Sequence, residues 1–300
     1  MNDGVPRHRL VLREPTVARG LPTSRYRRSV TDIPSVLSSV PSRLGTRLTL
    51  EDGQLVGHLS SPASIACRGS VSMAAVAFLI DVVGGLTIDT DPDIWAFTSD
   101  LSIRLPLATA PESVDTRALV LRSGARSAVC EMPLMVGGQE WGSSLISFAK
   151  VPRRAGDPVK PPFDAIAAVT RMPSIPLDQP LRSAAGFVSR DRANGVVTAE
   201  LRTELLNPAG AMQGAVVAGL IETAAEDLAD ALLGGDRPHV VTEMEVRFLA
   251  QNRLAPIVSS ARFIGPRSDG RVRVDLTSDG GNGKLTTAAV VKVVPGLGNA

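Results

Sequence analysis

Few residues of this chain have the types and spacing that chemistry requires. The three histidines, His8, His58 and His239, lie far apart, with none of the spacings typical of a zinc site. The sequence contains neither a Gly-x-Ser-x-Gly nucleophile turn nor a Walker-type glycine loop. What remains is the run 207–215, which reads Asn-Pro-Ala-Gly-Ala-Met-Gln-Gly-Ala and is followed by an acid at Glu222. This run is the candidate site, and we expect no metal and no cofactor.

The elements that must position this run occur twice along the chain. Each half has two strands joined by a tight turn, at Asp52-Gly53 or Asn194-Gly195, then a long apolar helix at about 71–86 or 213–233, and then further strands. The predicted strands include 116–122 and 127–136 in the first half and 184–190 in the second. Gly45, Gly69 and Asp81 recur 141 positions later as Gly186, Gly210 and Glu222, and Arg104, Ala118, Val129 and Pro152 recur 143 positions later as Arg247, Ala261, Val272 and Pro295. Seven anchors on two offsets indicate an internal duplication.

One central helix wrapped by an antiparallel sheet, made twice, is the hotdog architecture. The predicted fold is therefore α+β, a double hotdog. Because a lone sheet of this kind leaves an edge strand exposed, we expect the two sheets to pair side by side. The predicted organisation is a flexible, arginine-rich arm at 1–34, hotdog domains at 35–152 and 165–300, and a proline-rich linker at 153–164.

The run at the second helix resembles a motif of the hotdog-superfamily thioesterases of the phenylacetyl-CoA type. Their pattern is an Asn, a Gly three positions later, a His-Gly pair three positions after that, and an acid eight positions beyond the second Gly. Asn207, Gly210, Gly214 and Glu222 match this pattern, whereas Gln213 stands in place of the histidine. The resemblance implies a thioesterase with acyl-CoA as its substrate.

The first half retains other parts of the same motif. Ala66 and Met73 stand where the motif has its Asn and its second Gly, but the acid is kept as Asp81. Thr98 begins a Thr-Ser-Asp-Leu run similar to the strand that follows the acid in the family, and its counterpart in the second half is Val241. In some of these thioesterases, one subunit supplies the Asn and Gly while its neighbour supplies the acid and hydroxyl. The resemblance therefore implies one complete site between the halves, and one degraded site.

The implied complete site combines Asn207 and Gly214 with Asp81 and Thr98. The Gly214 N–H, at the positive end of its helix, would stabilise the developing oxyanion. Asp81 would act as general base or nucleophile, Thr98 would hold the water or the carboxylate, and Asn207 would orient the carbonyl or the loop. The second choices for catalysis are Glu222 and Gln213. Substrate binding is expected from Met73, Phe78 and Met212 along the acyl chain and from Arg104 and Arg247 at the phosphates of CoA.

Composition narrows the partners and the compartment. A formal charge of +2 and an aromatic content of 3% argue against a nucleic-acid partner. The longest apolar run, 71–80, has about half the length that a membrane span requires. Only Cys67 and Cys130 are present, which is typical of a reducing compartment, so we expect a cytoplasmic protein. The resemblance also implies self-association into dimers or larger assemblies.

Two other functions stay open. The glutamine at position 213 and the losses in the first half fit a non-catalytic double hotdog that binds acyl-CoA or lipid. A hotdog dehydratase or hydratase is a third hypothesis, but no histidine stands near the start of either helix. The sequence does not indicate the acyl chain or whether its carrier is CoA or an acyl-carrier protein.

Overall fold

Two long helices lie close to the positions that the apolar patterns predict. The computed structural model describes residues 39–61, 65–156, 160, 169, 175–279 and 283–297, so the predicted arm and most of the predicted linker lie outside the described residues. Helix α1 spans Met73–Ile88, a short helix α2 spans Leu181–Ala184, and helix α3 spans Gly214–Leu233. Every α1 residue from Met73 to Ile80 is buried, as expected for an apolar stretch that is packed on all sides.

Within the described residues, fourteen strands surround these helices. The strands of the first half are β1 (Thr46–Glu51), β2 (Gln54–Ser60), β3 (Ile94–Arg104), β4 (Ser113–Arg117), β5 (Leu119–Ser123), β6 (Ser127–Glu131), β7 (Leu134–Val136) and β8 (Gln139–Pro152). Those of the second half are β9 (Val188–Asp191), β10 (Val196–Ala199), β11 (His239–Phe248), β12 (Ile257–Phe263), β13 (Arg271–Ser278) and β14 (Lys284–Pro295). Short 3-10 helices lie at Pro41–Arg43, Arg192–Asn194, Thr203–Leu205 and Arg267–Asp269.

The strands form one antiparallel sheet that runs through both halves. Its order is β1-β2-β4-β7-β8-β3-β11-β14-β13-β12-β10-β9, and β6 pairs with β8 and with β5. The halves meet where β3 pairs with β11, with Ser102 opposite Glu245. The two sheets are thus joined side by side, as predicted.

Both strands at this junction are interrupted by a bulge. The register between β3 and β8 shifts at Ser99, and the register between β11 and β14 shifts at Thr242, 143 positions later. A bulge inserts one residue into a strand and redirects the neighbouring side chains. Thr98 is the last residue of β3 before its bulge, and this placement aims its hydroxyl at α1.

Three predicted strands differ in the structure. The predicted strand at 116–122 is divided at Ala118 into β4 and β5. The predicted strand at 127–136 is divided into β6 and β7 around Pro133, since proline has no N–H to donate to a strand partner. The predicted strand at 184–190 begins instead as the end of α2, and its extended part is limited to β9.

The helices pack against one face of the sheet. Leu101 and Ile103 of β3 are buried, whereas Ser102 and Arg104 alternate with them on the outer face. Helices α1 and α3 approach closely at Gly219, where an added Cβ would lie 3.3 Å from the Cβ of Ala74. In the part of the chain that the structure describes, no helix has the length and apolar character needed to cross a membrane.

Candidate active site

The two long helices pack against each other and run in opposite directions. Near one end, Asp81 of α1 lies beside Gly214, the first residue of α3. Near the other end, Glu222 of α3 contacts Met73, the first residue of α1. Each helix therefore carries an acid that faces the N-terminus of its partner. We call these two places the Asp81–Gly214 end and the Met73–Glu222 end.

The Asp81 carboxylate is held by one side chain from each half. The Thr98 hydroxyl donates to Oδ1 at 2.5 Å, and the Gln213 Nε2 amide donates to Oδ2 at 2.9 Å. Thr98 comes from β3, and Gln213 immediately precedes α3. The structure thus brings together three of the residues that the sequence analysis selected, across the junction of the halves.

Burial and hydrogen bonding act on this carboxyl group in opposite directions. Burial raises the pKa of Asp81, and the hydrogen bond from Thr98 lowers the pKa by a smaller amount, so the net direction is upward. The residue still keeps partial contact with solvent. A carboxylate with a raised pKa accepts a proton more readily than an exposed one, which suits a general base.

Gly214 presents an unused donor beside this carboxylate. Its backbone N–H has no acceptor among the described residues, as is usual for the first turn of a helix. A Cβ added at Gly214 would point at Oδ2 of Asp81, 3.8 Å away, and at the ring of Phe248, 3.9 Å away. Because Gly214 has no side chain, the start of α3 lies close to the carboxylate, and a methyl group there would be in van der Waals contact with Asp81. The dipole of α3 favours negative charge at this position.

Gln213 has a structural role that the sequence did not reveal. Its Oε1 accepts a hydrogen bond from the Ala215 N–H at 2.5 Å, which caps α3, while its Nε2 donates to Asp81. Its backbone N–H donates to the carbonyl of Leu205 at 2.9 Å. One side chain therefore fixes the start of α3 and the acid of α1 together. The position of Gln213 directly before the motif glycine marked it as a candidate in the sequence. The capping bond could not be predicted from the sequence, because it depends on how the loop before α3 folds.

Asn207 organises the loop that leads into α3. Its Oδ1 accepts hydrogen bonds from the N–H groups of Ala209 and Ala211, both at 3.1 Å. Its own N–H donates to the carbonyl of Ala211 at 2.8 Å. Of the two roles predicted for Asn207, these bonds correspond to the orientation of the loop, and they do not bring its side chain to Asp81.

The Met73–Glu222 end is arranged differently. Oε1 of Glu222 accepts from the Met73 N–H at 2.7 Å, and Oε2 accepts from the Ala74 N–H at 3.4 Å and from the Ser72 hydroxyl at 3.2 Å. Met73 is the counterpart of Gly214, so the donor that is free at one end is occupied at the other. Val241, the counterpart of Thr98, is buried and supplies no hydroxyl.

The residues expected to bind substrate are either buried in the core or paired on the outer face of the sheet. Met73, Phe78 and Met212 are all buried in the hydrophobic core. Arg104 pairs with Glu245 at 2.9 Å and Arg247 pairs with Asp100 at 3.1 Å, across the outer face of β3 and β11. Because this face is opposite to the helices, the structure does not bring the two arginines to the Asp81–Gly214 end.

One cluster has the side-chain types that bind metals. Ligand atoms of Cys67, Glu222 and Glu226 lie within 4.8 Å of one another. Glu222 is already engaged by three donors, and Arg68 supplies a cation 3.4 Å from Glu226. These contacts give the cluster the character of an internal ion-pair network.

Comparisons with known proteins identify the fold. No protein-family model matches the sequence, and no curated protein matches it significantly. Among solved structures, the TesB protein of Mycobacterium avium subspecies paratuberculosis superposes with a TM-score of 0.55 at 13% identity, covering 87% of this chain and 100% of that one.

Two further structures give the same result. A putative oleoyl thioesterase from Lactobacillus plantarum superposes with a TM-score of 0.54 at 13% identity over 83% of this chain and 99% of that one. A protein of unknown function with a hotdog fold from Alicyclobacillus acidocaldarius superposes with a TM-score of 0.53 at 14% identity over 85% of this chain and 97% of that one. The predicted fold class is confirmed: the chain has the hotdog fold, in its double form.

Proposed function

We propose that the chain is an acyl-thioester hydrolase that acts at the Asp81–Gly214 end of its helix pair. The observation that carries this proposal is the carboxylate of a partly exposed residue, Asp81, which has a raised pKa and lies beside Gly214, whose N–H at the helix N-terminus has no acceptor among the described residues. A base close to an oxyanion donor is what acyl transfer to water requires. Two of the superposed structures carry the name thioesterase or TesB, which supports the reaction class.

Each step of the proposed reaction uses a group at this end. The thioester carbonyl oxygen accepts the hydrogen bond of the Gly214 N–H, while Asp81, held by Thr98 and Gln213, takes a proton from a water molecule. The resulting hydroxide adds to the carbonyl carbon, and the negative charge moves to the oxygen at Gly214. When the C–S bond breaks, Asp81 returns its proton to the leaving sulfur. The products are a carboxylic acid and a free thiol.

Gln213 replaces the motif histidine in this scheme without taking part in proton transfer. Its amide carries no titratable proton at ordinary pH, but its hydrogen bond fixes Asp81 relative to the helix N-terminus. The Asp81 carboxylate therefore serves as the proton acceptor, and Gln213 orients it.

A second candidate function is binding of an acyl thioester without turnover. The observation that favours it is that each Asp81 oxygen already accepts a hydrogen bond, one from Thr98 and one from Gln213. A carboxylate oxygen has further lone pairs, so these bonds reduce its basicity without preventing proton uptake.

Release of free thiol from a panel of acyl-CoA and acyl-carrier-protein substrates tests the proposal. The wild-type chain should release thiol from at least one substrate, and Asp81→Asn should abolish the release. Asp100→Asn is the matched control, because Asp100 is an aspartate on β3, two residues after Thr98, but pairs with Arg247 on the outer face. Binding of acyl-CoA without any thiol release would favour the second function, and full activity of Asp81→Asn would refute the assigned base.

A further inference from the structure

The Met73–Glu222 end anchors α1 to α3. Helix α1 has no capping hydrogen bond from the side chain of its own N-cap residue, Ser72. Glu222, which is 6% exposed, supplies the acceptor instead and receives hydrogen bonds from Ser72, Met73 and Ala74. A carboxylate at a helix N-terminus is stabilised by the free N–H groups and the helix dipole. The start of α1 is therefore capped by a residue of the other half.

A network of charged groups surrounds this cap. Arg68, from the loop before α1, contacts Glu226 at 3.4 Å and Asp230 at 2.9 Å, and it also donates to the carbonyl of His239. The Cys67 thiol lies 3.3 Å from Glu226. The first half thus contributes a cation and a thiol, and the second half contributes a row of acids one helical turn apart.

We propose that Glu222 is a positioning residue for the reaction at Asp81, because its cap sets the alignment of α1 against α3. The proposal rests on the proposed thioester hydrolysis. Met73 and Asp81 are eight residues apart on one helix, which corresponds to about 12 Å along its axis. Since α1 is a continuous helix, a shift at Met73 moves Asp81 with it. The separation between Asp81 and Gly214 then changes at the other end of the same helix pair.

The packing between the two ends makes this coupling direct. Helices α1 and α3 meet at Ala74 and Gly219, where the side chain of Leu181 also presses against Gly219. This contact contains no hydrogen bond, so the axial position of α1 is fixed by the cap at Met73 together with the Gln213–Asp81 bond. A displacement of about 1 Å at reacting groups reduces rates by as much as ~100-fold.

Protonation of Glu226 connects this anchor to pH. Burial, and next the charge of Glu222, raise the pKa of Glu226 to about 8, while Arg68 and the Cys67 hydrogen bond oppose the rise. Asp230 also faces it and adds to the rise. As pH rises through about 8, Glu226 gains a negative charge beside Glu222, which weakens the cap. Activity should therefore fall on the alkaline side, and Glu226→Gln should remove that fall.

Steady-state kinetics of three variants test the positioning role. Glu222→Ala should lower kcat by about tenfold to ~100-fold with KM within about twofold, because the substrate site remains while Asp81 is misplaced. Glu222→Gln keeps an acceptor for the Met73 N–H and should recover most of kcat. Glu245→Gln, on the exposed outer face, is the control and should match the wild type. Wild-type kcat in Glu222→Ala, or a loss confined to KM, would overturn the proposal.

A second measurement keeps the inference separate from the proposed function. If the wild type hydrolyses no thioester, the proposed function fails. The alignment of α1 against α3 is then measured by hydrogen exchange of the peptide that covers 213–217. Exchange there should increase in Glu222→Ala and stay unchanged in Glu245→Gln. Unchanged exchange in Glu222→Ala would refute the coupling. If Glu222→Ala does not fold, the pH profile of Glu226→Gln is the test. Activity that no longer falls at alkaline pH in this variant supports the coupling, and a fall equal to that of the wild type refutes the coupling.

Discussion

Replacement of Thr98 by valine removes one hydrogen bond from the Asp81 carboxylate and changes little else. Valine has nearly the shape of threonine, and the counterpart position in the second half already holds Val241 in a buried site. The strand should therefore keep its pairing with Phe148 and its bulge at Ser99. The lost bond is the 2.5 Å contact from the Thr98 hydroxyl to Oδ1.

The size of the effect follows from the charge of the acceptor. A hydrogen bond to a charged group contributes about 1.5–3 kcal/mol, which corresponds to roughly 10-fold to 150-fold in rate if it is lost from the reactive ionisation state. The bond lowers the pKa of Asp81, so its removal raises that pKa further. Because the base must be ionised, the acidic limb of the kcat/KM profile should move to higher pH in Thr98→Val. The loss should be largest at low pH and should shrink as pH rises.

The assay is thiol release measured across pH for the wild type, Thr98→Val and Thr98→Ser. Serine keeps the hydroxyl, so Thr98→Ser should follow the wild-type profile. An acidic limb at the same pH in Thr98→Val and the wild type would refute the role of the Thr98 bond. Equal losses in the serine and valine variants would instead assign the effect to the missing methyl group.

Three further substitutions have distinct expected outcomes. Gly214→Ala places a methyl group no closer than 3.8 Å to the neighbouring atoms, and alanine favours a helix over glycine by up to about 1 kcal/mol, so the Tm should stay equal or rise. The kcat/KM should fall. A lower Tm would contradict this expectation. Asn207→Ala removes the acceptor of two loop N–H groups and should reduce the free energy of unfolding by about 1–3 kcal/mol in urea titrations. An unchanged free energy of unfolding would show that these two hydrogen bonds do not stabilise the loop. Because the pKa of Glu226 is raised in the folded state from 4.5 to about 8, its contribution to stability is complete below pH 4.5 and is lost as pH rises to about 8. Glu226→Gln should flatten this slope in thermal melts across that window, and an unchanged slope would exclude Glu226 as its source.

Local patterns predicted most of the fold. The Asp52-Gly53 turn has positive φ at both residues, as a tight hairpin requires, and the two apolar stretches became the two long helices within two residues at each end. These features depend on short-range sequence, so they are readable without the tertiary structure. The break of a strand at Pro133 was also present in the sequence, as a residue that cannot donate to a ladder.

The hydrogen bonds of the site that form between the two halves could not be predicted from the sequence. The resemblance implied that Asp81 lies opposite Gly214 and Glu222 opposite Met73, but it did not indicate the hydrogen bonds that distinguish the two ends. Glutamate has one methylene more than aspartate, and Glu222 contacts the helix N–H groups directly, whereas Asp81 meets the side chain of Gln213. Such a difference arises from side-chain length and helix spacing together, and helix spacing is not encoded in any short segment.

Only one end of the helix pair should accept a thioester, because the donor at the other end is occupied by Glu222. The most direct measurement is the stoichiometry of binding of a non-hydrolysable acyl-CoA thioether to the wild-type chain by isothermal titration calorimetry. We expect one molecule bound per chain. Two equivalent molecules bound per chain would contradict it.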